Sequence, residues 1–141
     1  MNRPFTGDSE GKDYFVGVLR REGFTNIVDM DSVDPYSHYD LEDWKGNDLY
    51  LFELKNRSFP STRFGDITLS EDRYLYLRNS PHRTFLVYFF EDGWTIIDIK
   101  RWRPTDKITR TNKRTTRKGN YSDYRHTMVV WPIRQFRLLE Y

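Results

Sequence analysis

The 141-residue chain contains no cysteine, which excludes disulfide stapling and thiolate-bound zinc. It has no apolar run of membrane-spanning length, no apolar leader with a cleavage site and no internal repeat, so the expectation is a single domain in the cytoplasm of a bacterial, archaeal or virus-infected host cell. Hydrophobic residues are scarce at 37%, but aromatics make up 17% of the chain and carry much of the area available for a core. Positive charge is outnumbered in the first part of the chain: residues 1–60 hold 12 acidic against 7 basic side chains, whereas residues 100–126 hold 10 basic against 2 acidic. A net charge of +2 therefore conceals an acidic front and a basic rear.

Within the acidic part, the apolar run Leu49-Tyr50-Leu51-Phe52-Glu53-Leu54-Lys55 reads as a strand. Side chains alternate along a strand, so Glu53 and Lys55 project from the same face. The preceding His38-Tyr39-Asp40-Leu41-Glu42-Asp43-Trp44 suits a partner strand, and Lys45-Gly46-Asn47-Asp48 supplies the turn. A two-residue Gly46-Asn47 turn sets Asp40 directly opposite Glu53, with Cβ atoms roughly 5 Å apart. Two carboxylates so placed repel one another unless a cation joins them. Asp and Glu oxygens suit Mg²⁺ or Mn²⁺, and a carboxylate-bound Mg²⁺ retains waters that serve as nucleophiles. The Lys55 ammonium beside them would stabilise charge developing on phosphorus. The competing reading is an exposed sheet face with ordinary charge pairs; the apolar character of the Glu53 strand weighs against it.

Around this hairpin, Glu10 to Glu22 reads as a helix closed by Gly23, Thr25 to Asp31 as a first strand, and Thr68-Leu69-Ser70-Glu71 as a capping box opening a helix to about Arg78 whose Leu69, Tyr74, Leu75 and Leu77 pack on the sheet. Thr84 to Phe90 and Trp94 to Ile99 read as strands joined by Glu91-Asp92-Gly93. His126 to Trp131 reads as a further strand, with apolar positions 129, 131, 133 and 136 returning the tail to the core.

That order of elements, with Asp40 on one strand and Glu53-Leu54-Lys55 on its neighbour, resembles the PD-(D/E)xK nuclease superfamily, in pattern closest to its Holliday-junction-resolvase-like and restriction-endonuclease-like members. Tyr39 stands where that family's name has proline. The resemblance covers about residues 8–100. It implies an α/β fold with a restriction-endonuclease-like core and a mixed central sheet flanked by helices; the charge segregation adds a basic loop insertion at about 100–126. The resemblance also implies a Mg²⁺- or Mn²⁺-dependent endonuclease, with Asp40 and Glu53 as metal ligands and Lys55 as the motif lysine. Members of the resolvase type add an acid from the first helix; Glu10 flanks the apolar stripe of Tyr14, Phe15, Val18 and Leu19 and is preferred to Asp13, although an acid in a first helical turn also suits the helix dipole. Such enzymes are often homodimers. His38, on the Asp40 face of its strand, is a further candidate for reaching metal or phosphate, and Ser70 and Tyr74 lie on the helix after the motif, where some members carry a Gln or Lys.

Lys100, Arg101, Arg103, Lys107, Arg110, Lys113, Arg114, Arg117 and Lys118, interspersed with Trp102, Tyr121 and Tyr124, are expected to form a mobile loop that binds nucleic acid, DNA in preference to RNA. A solvated insertion is the alternative for this segment alone. For the whole chain the alternatives are a catalytically inactive nucleic-acid-binding module on a nuclease scaffold and a protein-interaction domain.

Overall fold

The protein's structure, a computed structural model, describes residues 2–115 and 121–141, with the backbone alone for 111–115 and 121–125. Helix α1 spans Gly7–Arg21. It ends in a Schellman motif: Gly23, at φ +95°, donates to Arg20 O (3.1 Å), and the Phe24 N–H reaches back to Leu19 O (3.0 Å). Phe24 and Leu19 are both buried in the core that this reversal closes.

Strand β1 is only Val28–Asp29, shorter than the expected Thr25–Asp31, because the chain coils into a 3₁₀ turn at Met30–Ser32 as the Asp29 carboxylate accepts from the Asp31 N–H. Strands β2 (Leu41–Lys45) and β3 (Asp48–Asn56) form the expected hairpin, with Lys45 opposite Asp48 and Leu41 opposite Phe52. Gly46 has φ +64° and no non-glycine residue among those described has positive φ, as in a type II′ turn. The turn, and the register as far as Leu41–Phe52, match the sequence reading, but the strand expected to start at His38 starts only at Leu41.

The stretch read as a capping box is a strand. β4 spans Asp66–Ser70, and Thr68 lies in its middle. Ile67 and Leu69 are wholly buried, and pairing with a distant strand at Trp131 and Val129 outweighs the local helix-start signal. Helix α2 therefore begins at Glu71, with Ser70 as N-cap, and runs to Asn79. It buries Tyr74 and Leu77, whereas Leu75 faces outward, contrary to expectation.

Strands β5 (Arg83–Phe89) and β6 (Trp94–Asp98) follow. β3 and β5 run parallel, joined by the β4–α2 crossover, and give a five-stranded mixed sheet in the order β1-β2-β3-β5-β6. Alternation on β5 divides the core. Val87 and Phe89 join Phe15 and Leu19 of α1, while Leu86 and Tyr88 join Tyr74 and Leu77 of α2.

The basic segment read as a loop is also largely strand. β7 (Asp106–Thr115) pairs antiparallel with β8 (Tyr121–Pro132), and β4, β8 and β7 form a second sheet. Val129, Trp131 and Met128 anchor β8 in the core, and the Thr-rich arm of β7 completes its hydrogen-bond ladder. Residues 116–120 lie outside the described residues. The tail returns as expected: Ile133 and Phe136 pack on the core, and Leu139 exchanges two backbone hydrogen bonds with Trp94 (2.9 and 2.7 Å). No helix among the described residues is long and apolar enough to cross a membrane.

Candidate active site

β2 pairs with β3 only as far as Phe52, so the end of β3 runs on without that neighbour and forms the floor of a cleft of about 570 Å³. Asp40, Glu53 and Lys55 all line it. Asp40 is fixed at three points: its N–H donates to Phe52 O (2.8 Å), its carbonyl accepts from the Met30 N–H (2.9 Å), and its Oδ2 accepts from the Leu54 N–H (2.7 Å). The ladder ends at the Leu41–Phe52 pair, where Asp40 and Leu41 both stand against Phe52, and Asp40 and Glu53 come together as neighbours lining the cleft.

Glu53 is 1% exposed. Its Oε1 receives Arg73 Nη1 at 2.7 Å and lies 3.4 Å from Lys55 Nζ, whereas its buried Oε2 has no hydrogen-bond partner. Burial, and then the charge of Asp40, push the Glu53 carboxyl up to about 7 against the pull of Lys55 and Arg73. Burial also raises Asp40, opposed by the Leu54 N–H and by Lys12. Lys12 closes one wall from α1, bridging Asp29 Oδ1 (3.0 Å) and Asp31 Oδ2 (2.5 Å).

The donor set can be weighed against a divalent cation. Two hard carboxylates meet in an open cleft, burial raises both acids, and one buried carboxylate oxygen lacks a partner. Such a set fits Mg²⁺ or Mn²⁺ carrying waters. No group of three or more acidic, His or Cys side chains that could cage a metal occurs among the described residues.

The first-helix acid does not join the pair. Glu10 Oε2 accepts from the Thr6 N–H at 3.0 Å and does not line the cleft; Asp13, the other candidate, does. The reason is helical geometry: α1 starts at Gly7, so Glu10 folds back over the exposed start of the helix and satisfies the Thr6 N–H. Ser70 caps α2 without a side-chain bond, and Tyr74 packs edge-on against Trp131. His38 stacks on Tyr76 with ring centroids 4.3 Å apart.

Two cleft cations were not found by sequence reasoning. Arg73 lies four residues before the buried Leu77, hence on the sheet-facing side of α2. That spacing was available in the sequence, because the helix read to about Arg78 already held both residues. For Lys12 no local signal existed.

Of the basic residues, Lys100 Nζ donates to Ser80 O, Arg101 lies over the Trp102 ring (5.7 Å), and Lys107 Nζ pairs with Glu71 Oε2 at 2.5 Å. Arg103 and Arg110 are exposed. Lys113 and Arg114 fall on β7, and Arg117 and Lys118 lie outside the described residues.

No protein-family model matches the sequence, and no curated protein matches it. Among solved structures the protein is similar to Hjc, a Holliday junction resolvase from the archaeal hyperthermophile Archaeoglobus fulgidus. The TM-score is 0.52 over 70% of this chain and 77% of that one, at 16% identity. The fold is resolvase-like. The likeness is one of architecture, in agreement with the α/β nuclease core expected from the sequence.

Proposed function

We propose that the protein is a Mg²⁺- or Mn²⁺-dependent endonuclease that hydrolyses phosphodiester bonds in DNA. One observation carries the reading: Asp40 and the buried Glu53 line one cleft at the open end of β3, near enough for the charge of Asp40 to act on Glu53, with one Glu53 oxygen unpartnered and Lys55 and Arg73 on the other. Asp40 and Glu53 would hold the cation, which when bound supplies a water of lowered pKa and polarises a phosphoryl oxygen. The three backbone contacts of Asp40 fix one donor without a mobile loop. Arg73 and Lys55 share Glu53 Oε1, which orients the carboxylate and favours its charged form. Lys55, its side chain 29% exposed, keeps an ammonium at the cleft where negative charge grows on the phosphoryl group. Arg103, Lys107 and Arg110 offer positive charge that offsets the repulsion of a polyanion by the acids. Cutting both strands of a duplex needs two such sites, as a homodimer provides.

The test is incubation of the purified protein with branched, duplex and single-stranded DNA in Mn²⁺. The wild type cleaves and the Asp40→Ala/Glu53→Ala double variant does not. Equal cleavage by both refutes the assignment, and DNA binding without any cleavage supports a binding module instead.

A further inference from the structure

A second groove, of about 550 Å³, is lined by α2 and by the segment that carries Asp40, both of which also contribute to the cleft. Its rings are His38, Tyr76 and His82, with Leu75 and Pro81 between them. On the 38–40 segment, His38 is two residues from Asp40, a span of at most about 7 Å. On α2, Tyr76 is one turn beyond Arg73, a rise of about 4.5 Å. The groove and the cleft therefore draw on neighbouring residues of the same two elements.

Folding does not account for these rings. α2 meets the core through Tyr74 and Leu77, and leaves Tyr76 and Leu75 each 45% exposed. Tyr76 nevertheless stacks against His38, the rings inclined by 29°, and lies 6.5 Å from Tyr39 at 23°. Trp44, 60% exposed, extends the row beyond His82 at 6.4 Å. The groove's polar edge is the Asn79 amide and the Asp72 carboxylate. Asp72 is an acid in this lining and no Lys or Arg belongs to it, so the groove does not suit a phosphate. A planar, neutral, hydrogen-bonding group fits it.

We propose that this groove binds an unpaired nucleobase of the strand whose phosphate occupies the cleft, by stacking on the His38–Tyr76 pair with its edge read by Asn79 and Asp72. The inference rests on the reading of the cleft as a phosphodiester site, and it specifies the substrate as a strand with unpaired nucleotides beside the bond that is cut. Bases in intact duplex are already stacked and cannot enter.

The experiment measures fluorescence anisotropy of labelled single-stranded DNA and of fully paired duplex of the same sequence, in EDTA, for wild type, Tyr76→Phe and Tyr76→Ala. Tyr76→Ala is expected to lose about tenfold in affinity for the single strand with duplex affinity kept, and Tyr76→Phe to retain both. Should Tyr76→Ala fold poorly, His38→Ala is expected to show the same selective loss. Undiminished single-strand binding, equal loss on both ligands, or a change confined to self-association by sedimentation overturns the proposal. Ring-dependent binding without Mn²⁺-dependent cleavage refutes the cleft reading alone; cleavage with no dependence on the rings refutes this inference alone.

Discussion

Glu53→Gln should make the metal-free protein more stable, by an amount that grows with pH. In the folded state the Glu53 carboxyl is raised to about 7 from an ordinary 4.5, chiefly by burial. The native state therefore binds this proton more tightly than the unfolded chain, and stability falls as pH rises from about 4.5 to 7, then levels off once both states have lost the proton. A shift of that size corresponds to about 3 kcal/mol of strain from the ionised carboxylate above pH 7. Glutamine copies the shape of the protonated acid and can still accept from Arg73, so it should recover most of that strain at pH 8 and almost none at pH 5. Urea denaturation in EDTA at the two pH values measures the difference. Adding Mn²⁺ at pH 8 should stabilise the wild type and leave the variant unchanged, closing the gap. A variant equally or less stable than wild type at pH 8, or a gap that does not narrow on acidification, would refute the claim that the buried acid is held against its preferred protonation state.

Glu10→Ala is expected to cost about 1 kcal/mol in denaturation, through the exposed Thr6 N–H, while Mn²⁺-dependent cleavage is kept. Gly93→Ala would set a methyl 2.6 Å from Leu138 Cγ and 2.7 Å from Leu139 O, forcing the tail off β6; a loss of about 1–3 kcal/mol and faster hydrogen exchange at the Trp94 amide should follow. Trp131→Ala empties a fully buried site between β4 and α2 and should cost about 3–5 kcal/mol by urea denaturation; a cost under about 1 kcal/mol would contradict the packing described.

The part of the site that was legible in sequence is the part fixed by counting. A two-residue turn and strict alternation determine the hairpin register from Lys45–Asp48 to Leu41–Phe52 with no knowledge of the rest of the chain, whereas the doubling of Asp40 and Leu41 against Phe52 left no local signal. Gly23 likewise marked the end of α1 because only a residue tolerant of positive φ closes that motif. The failures depend on distant partners. Thr68 and Glu71 have capping-box spacing, yet Leu69 is claimed by Val129, sixty residues on, and a local signal of about 1 kcal/mol yields to a buried ladder. The basic segment lacks apolar periodicity, and Asp106 to Arg110 at the start of β7 are exposed or half-buried. The ladder between β7 and β8 needs only backbone groups, and the recurring threonines were its one sequence trace. Glu10 lost its expected place to a backbone N–H four residues back, which a helical wheel does not represent.

The misread β4 explains how the site is braced. β4 passes into α2 without a loop, Ser70 being followed at once by Glu71, so the pairing of β4 with β8 fixes where α2 begins. The first turn of α2 then sends Arg73 to Glu53, while Glu71 takes Lys107 from β7. Residues 66–73 thus couple the acid pair, the helix cation and the basic hairpin through one continuous stretch. A shift of β8 against β4 would move Arg73 and Lys107 together, so the second sheet positions the cleft's charge as well as extending the core.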